Sequence, residues 1–413
     1  MDPLVDPDSA LGAALRGVVE EIAAELSRTE GTDPTLAGGW TGMALFQAYR
    51  YRELAAADGA EWAERWMSQA VERLADTPLP PSLQGGYVGI AWAVEHLREE
   101  LGIPEDEDPG ADIDDALRTL LDAGPWRGHL ELIGGLVGLG VHAFERLERG
   151  RGGGLLERIV ARLEEQAHPT PQGVTWHTPA SLLPDWQRAL YPSGYFNLGL
   201  AHGVPGLLLF LARAQAHGVA PHRTRPLLEG GLRWLEAQKR EEDGGPMFAP
   251  LVTGDGAPRA SQPPRVAWCY GDLGLSGALL QTARSVGDAA WEARALEAAR
   301  RAALRPFEHS GVVDAGLCHG AAGNAHLFHR LYRSTGEAVF REAAHAWLAR
   351  VLQLRRPGEG VGGFPAWVDD GRRRGWVADP GLLTGAAGVG LALLAATGRG
   401  EPAWDRVLLA SAR

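Results

Sequence analysis

The 413 residues include two cysteines, and both fall in one short frame. Cys269 opens the run Cys269-Tyr270-Gly271-Asp272-Leu273-Gly274, and Cys318 opens Cys318-His319-Gly320-Ala321-Ala322-Gly323. A third copy, Ala201-His202-Gly203-Val204-Pro205-Gly206, carries a histidine and no cysteine. Thiolate sulfur and imidazole nitrogen are the donors zinc prefers, and a catalytic zinc keeps one position open beside three protein ligands. Cys269, Cys318 and His319 supply such a set. Consecutive ligands such as Cys318 and His319 cannot point one way from the middle of a regular helix. They can at a turn that enters one, and Gly320 allows that turn. A thiolate there is also stabilised by the partial positive charge of a helix N-terminus. The rival reading is a pair of buried thiols that only pack, and their shared register argues against it. His326 and His329 follow Cys318 on the same predicted helix and read as ordinary helix residues. No fourth donor stands in the frames, which favours an open catalytic site over a closed structural one.

Such turns need a scaffold that brings distant parts of the chain together. A Gly-x-x-Gly at the head of an apolar, helix-like stretch recurs seven times, starting at Gly39, Gly86, Gly135, Gly203, Gly271, Gly320 and Gly385, with spacings of 47, 49, 68, 68, 49 and 65 residues. A period near 48 residues fits one helical hairpin per repeat, with insertions in the longer intervals. Charge-rich stretches precede the glycines, as at Glu61 to Asp76, Leu155 to Gln166 and Val339 to Leu354, with the apolar spacing of surface helices. Stretches with little charge follow them, as at Gly206 to Arg213 and Gly388 to Ala396. The economical arrangement is all-α: a ring of buried inner helices inside a ring of outer ones. For four of the seven glycine motifs, close helix packing is expected to be the whole role.

Residues 167–198 and 241–266 lack helical period and are rich in turn formers. They are expected to be non-helical insertions at the mouth of the site, with short strands at Gly173 to His177 and Met247 to Val252. Pro104 to Asp114 is acidic and reads as a solvated loop. No linker divides the chain, so residues 1–413 read as a single domain.

A net charge of −12 offers no basic stripe for a phosphate backbone, which argues against nucleic acid. Two cysteines cannot form a disulfide framework, and metal-binding thiols must stay reduced, which favours the cytoplasm. The first residues are acidic, without the basic-then-apolar pattern of a signal peptide. The apolar run Gly381 to Gly398 is marginal in length for a membrane span. It falls on the repeat and reads as a packed internal helix, so membrane association is not indicated.

In these motifs the chain resembles the lanthionine synthetase C-like family, the cyclases of class I lanthipeptide biosynthesis. The resemblance rests on the repeated Gly-x-x-Gly, on Gly199-Leu200-Ala201-His202-Gly203, on Trp268-Cys269-Tyr270-Gly271 and on Cys318-His319-Gly320, and runs from about Leu36 to the C-terminus. It implies an α/α toroid of seven inner and seven outer helices with one zinc at one end, held by Cys269, Cys318 and His319. It also implies acid-base chemistry at His202 and functional roles for Arg265 and Tyr270. At Glu131 the family has an aspartate, so a carboxylate is kept with one more methylene. The implied substrate is a dehydrated precursor peptide, and a lanthipeptide dehydratase is a candidate partner.

The implied reaction is addition of a peptide cysteine thiol across dehydroalanine or dehydrobutyrine, giving a (methyl)lanthionine thioether ring. A free thiol with a pKa of about 8.5 is mostly protonated at neutral pH, and an open zinc position favours the thiolate. Attack at the β-carbon moves charge onto the carbonyl oxygen, where Arg265, and after it Tyr270, is the candidate donor. His202 is the candidate general acid for the α-carbon, with Glu131 orienting it or holding it charged. Two rivals stay open. One adds a small thiol such as glutathione to dehydroamino acids with the same residues; the other is a non-catalytic scaffold that binds a leader peptide. A glycosidase would need paired carboxylates in the motif frames, and a prenyltransferase usually adds an aspartate ligand.

Overall fold

Segments of two kinds alternate along the chain, and both become helices in the computed structural model, which describes residues 2–240, 245–254, 265–369, 371 and 373–411. In chain order the helices are α1 (Ala10–Leu26), α2 (Trp40–Leu54), α3 (Ala57–Arg73), α4 (Tyr87–His96), α5 (Ala111–Asp122), α6 (Leu136–Leu147), α7 (Gly153–Glu165), α8 (Asp185–Leu190), α9 (Val204–Ala216), α10 (Pro221–Glu236), α11 (Asp272–Val286), α12 (Ala289–Leu304), α13 (Ala321–Thr335), α14 (Ala338–Leu354) and α15 (Ala386–Thr397). An outer helix buries one stripe: in α3 the buried Ala63, Trp66, Met67 and Ala70 follow helical spacing, while Glu64, Arg65 and Glu72 face water. An inner helix is buried nearly all round, as α15 is from Ala386 to Leu394. The apolar run from Gly381 is therefore a packed inner helix, as its place in the repeat requires. Among the described residues, no helix is long and apolar enough to cross a membrane.

The chain forms two compact units. One comprises Met1–Gly110 and Val312–Arg406. Its inner helices pack in the order α4, α2, α15, α13, and α3, α1 and α14 lie outside α2, α15 and α13. The first helix of the chain thus completes the hairpin of the last inner helix. The other unit comprises Ala111–Gly311 and Val407–Arg413. Its inner helices α6, α9 and α11 carry α7, α10 and α12 on their outer sides, and α5 packs on α7.

Among the described residues, six two- to five-residue strands form three antiparallel pairs: β1 (His168–Thr170) with β2 (Gly173–Thr175), β3 (Phe196–Asn197) with β4 (Leu251–Val252), and β5 (Pro365–Asp369) with β6 (Arg374–Ala378). Strands were expected in both insertions, and each contributes to a pair. Residues 167–198 are not wholly irregular, however, because α8 and a 3-10 turn at Ala180–Leu182 interrupt them. Both short helices begin just after a proline, which sets the chain for a first turn. Of the second insertion, residues 241–244 and 255–264 lie outside the described residues. The β5–β6 hairpin falls in a stretch whose glycines and charges carry no clear period.

The acidic stretch before α5 is also not all solvated. α5 starts at Ala111 and buries Asp114. One Asp114 oxygen accepts from Arg146 Nε and Nη2, both at 3.0 Å, and the other lies 3.1 Å from His142 Nε2, fastening α5 to α6. Burial pushes this carboxyl up, but His142 and Arg146 outweigh that and hold it below the ordinary carboxylate range. Its stabilisation is therefore present above the unfolded carboxylate value, about pH 4, and is lost as pH falls through the lower folded value. Asp114→Asn should cost about 3 kcal/mol at pH 7 by removing the buried negative charge that His142 and Arg146 both face. Denaturant melts across pH 3–7 should show the variant's deficit shrinking at the acid end.

Candidate active site

Each inner helix starts at the first glycine of its motif, and no side chain caps it there. The cap comes from the loop that leads in. The carbonyls of Asp33, Pro80, His129, Asp314 and Asp379, each six residues before the glycine, accept the first helical N–H, from Trp40, Tyr87, Leu136, Ala321 and Ala386 at 2.9–3.2 Å. A loop that folds back so closely leaves no space for a β-carbon. One added at Gly271, where φ is +99°, would sit 1.8 Å from the Arg265 carbonyl, and one at Gly274 would sit 2.0 Å from that of Trp268. The Gly-x-x-Gly is thus a backbone-capped helix start, and this holds in repeats with and without chemistry-bearing residues.

The same loops are tied sideways. In the first unit Cys318 N–H donates to Leu383 O at 2.7 Å, Leu383 N–H to Ala37 O at 3.2 Å, and Ala37 N–H to Gln84 O at 2.9 Å. In the second, Leu132 N–H donates to Ala201 O at 3.1 Å and Ala201 N–H to Cys269 O at 3.4 Å. Most of these residues stand two before their motif glycine. Within each unit, a belt of backbone bonds therefore sets the frame positions of neighbouring repeats side by side.

The ligating atoms of Cys269, Cys318 and His319 all lie within 4.8 Å of one another. Cys269 is buried, and Cys318 and His319 are half-buried. Asp314 Oδ2 stands 3.8 Å from His319 Nε2 and accepts the Trp367 N–H of β5 at 3.0 Å. The unexpected hairpin thereby braces the turn that carries two of the three donors.

His202, Glu131 and Tyr270 also meet. Glu131 Oε2 lies 3.2 Å from His202 Nδ1, and the carboxylate accepts the N–H groups of Ile133 and Gly134, each at 2.8 Å. The Tyr270 ring stacks on the imidazole at 5.6 Å with a 24° tilt. Burial pushes Glu131 up, but His202 and the two amide donors outweigh it and hold the carboxyl low. Burial pulls His202 down, yet Glu131 outweighs that and raises the imidazole above its ordinary value. Tyr270 is pushed well up, first by burial, so its hydroxyl stays protonated. All three line a cavity of about 530 Å³, and the insertion contributes Trp176 to Pro179, Leu182 to Pro184 and Gln187 to its wall.

Arg265 is placed differently. Its carbonyl lies against Gly271, its side chain runs along Gly311, and it is not among the residues that line the cavity. A residue that motif reading passed over is Asn197, whose Nδ2 donates to the Tyr270 hydroxyl at 2.8 Å. The signal was its position six residues before Gly203, where Asp33, Asp314 and Asp379 stand in other repeats.

A family model described as lanthionine synthetase C-like protein matches residues 30–409. The chain belongs to the lanthionine synthetase C-like family. A solved structure titled nisin cyclase aligns with a TM-score of 0.74 at 19% identity, covering 96% of this chain and 98% of that one. That likeness shows the fold, the α/α toroid of the lanthionine synthetase C-like proteins. Among the described residues, seven inner helices (α2, α4, α6, α9, α11, α13, α15) and seven outer ones (α1, α3, α5, α7, α10, α12, α14) match the expected architecture, with α8 added in the first insertion.

Proposed function

We propose that this protein is a zinc-dependent lanthipeptide cyclase, working as one catalytic domain, that adds cysteine thiols of a dehydrated precursor peptide to dehydroalanine or dehydrobutyrine. The observation that carries this reading is the convergence of Cys269, Cys318 and His319 within 4.8 Å. The donor set fits the metal: tetrahedral zinc, about 2.0–2.3 Å from its ligands, separates them by roughly 3.3–3.8 Å. Two thiolates and one imidazole are three protein ligands, the number that leaves a catalytic zinc one open position. When bound, zinc supplies positive charge that favours the thiolate of a peptide cysteine, while two thiolate ligands temper that charge and leave sulfur nucleophilic.

The chain's own residues account for the rest. Sulfur forms a bond to the β-carbon, and the π pair moves onto the carbonyl oxygen as an enolate. A protonated Tyr270 hydroxyl is a donor for that oxygen, and Arg265 is a second if its side chain turns from Gly311. His202 has Nδ1 committed to Glu131, so Nε2 is the nitrogen that meets substrate. Glu131 keeps the ring charged, and the ring gives its proton to the α-carbon, completing the thioether. The thiol's original proton leaves as the thiolate forms, so the sum is proton-neutral. A dehydratase would supply the dehydroamino acids, and thiolate ligands suit the reducing cytoplasm.

Ring closure leaves mass unchanged, so the test counts thiols. A dehydrated precursor peptide incubated with the zinc-loaded protein should lose alkylatable cysteines, one for each ring, by mass spectrometry. Thiols persisting at the no-enzyme level overturn the cyclase reading. A gain of glutathione mass in a parallel reaction would mark small-thiol addition instead, and peptide binding with no thiol loss would mark a scaffold.

A further inference from the structure

The residue six before the motif glycine has a second duty in four repeats. Asp33 accepts the Thr35 N–H at 2.8 Å, Asp314 that of Gly316 at 3.2 Å, and Asp379 that of Gly381 at 2.8 Å. Asn197 does the same for Gly199 at 2.8 Å. The turn therefore needs only an acceptor two residues back, and aspartate supplies it three times. The second oxygens of Asp314 and Asp379 accept as well, from the Trp367 N–H and the Thr384 hydroxyl. What aspartate cannot supply is a donor.

Asn197 is 3% exposed, and its amide is oriented by chemistry, because Oδ1 must face the Gly199 N–H. Nδ2 is then the group that meets the Tyr270 oxygen, and it can only donate. The Tyr270 hydroxyl thus accepts from Asn197, and its own proton is released from that bond. The ring is fixed on its other sides by His202 and by Gly199, where a β-carbon would approach the ring to 2.8 Å. We propose that Asn197 is a positioning residue, which holds Tyr270 with its hydroxyl proton aimed into the cavity to meet the enolate oxygen. This rests on the cyclase reading above. It assigns the amide, in place of the aspartate used by three sister turns, to chemistry rather than to the turn.

The decisive variant is Asn197→Asp. It keeps the acceptor for Gly199, but its second oxygen would draw the Tyr270 proton out of the cavity. Ring closure should slow about a hundredfold in kcat, the size of losing one oxyanion donor, with KM changed less than about twofold. Tyr270→Phe should match that loss, and the double variant should be no slower than the worse single one. Zinc content and melting temperature should stay at the wild-type level. A second measurement does not need activity. With 13Cζ-labelled tyrosine, and the signal assigned by its absence in Tyr270→Phe, Asn197→Asp should move the Tyr270 resonance downfield. The uncharged Asn197→Ala removes the donor without adding an acceptor and should move it downfield by less, so a folding defect in one variant leaves the other to decide. Full activity in Asn197→Asp, or an unmoved Tyr270 resonance in a folded variant, overturns the assignment. A failure of the cyclase reading has a different signature: wild-type protein closes no ring while the resonance still reports the bond.

Discussion

Cys318→Ala should lower bound zinc from one ion per chain to a small fraction and slow ring closure by more than about a hundredfold, beyond the loss usual for residues outside the coordination shell. The substitution removes one of three donors and leaves the backbone intact, because the cap and belt bonds of this turn use main-chain atoms. The Cys318 N–H to Leu383 O bond at 2.7 Å and the Ala321 N–H to Asp314 O bond at 3.0 Å need no thiol. The helical content should therefore be preserved, and any fall in melting temperature should equal the lost metal linkage. Chelation of the wild-type protein should reproduce the kinetic defect. Zinc should reverse it in the wild type and fail to do so in Cys318→Ala. Cys269→Ala and His319→Ala should behave alike, as members of one donor set. Metal-free protein that closes rings at the full rate would exclude zinc from the reaction.

The convergence of Cys269, Cys318 and His319 was legible because two rare residues shared a frame with a repeat. Repetition turned a spacing pattern into a statement about space: like positions in like hairpins end up adjacent. Within each unit the structure supplies a reason, a belt of backbone hydrogen bonds between neighbouring loops, which leaves no trace in side-chain identity. The same periodicity gave the inner and outer helices, since α3 and α15 differ in charge pattern in the way that half-buried and fully buried helices must. Positions whose importance lies in backbone geometry were not legible. Gly-x-x-Gly read as a packing motif in four repeats, whereas the close return of the leading loop demands it in repeats with and without chemistry. Asn197, Asp314 and Trp367 were passed over because they act through hydrogen bonds to residues distant in sequence or to turn amides. Arg265 was named from its frame position alone; the geometry adds that its carbonyl packs against the Gly271 turn and its side chain along Gly311.

His202→Ala should retain zinc and slow ring closure by about 10²–10⁴-fold, the usual range for losing a positioned acid. Loss of metal in this variant would show that the histidine is a ligand and would end its role as acid. The more discriminating variant is Glu131→Gln. The imidazolium works only while it holds its proton, so the rate limb assigned to His202 falls as pH rises through its folded pKa. Burial pulls that pKa down, and the Glu131 carboxylate outweighs it to hold the pKa above the ordinary histidine value. With glutamine at 131 the burial remains and the counter-charge is gone, so the falling limb should move to lower pH. The activity lost at neutral pH should return in part on acidification, whereas His202→Ala should be flat over the same range. A pH–rate profile of kcat for the three proteins separates these outcomes. An unshifted limb in Glu131→Gln would mean that another group delivers the proton, and that the 3.2 Å pair of Glu131 and His202 shapes the cavity wall without charging it.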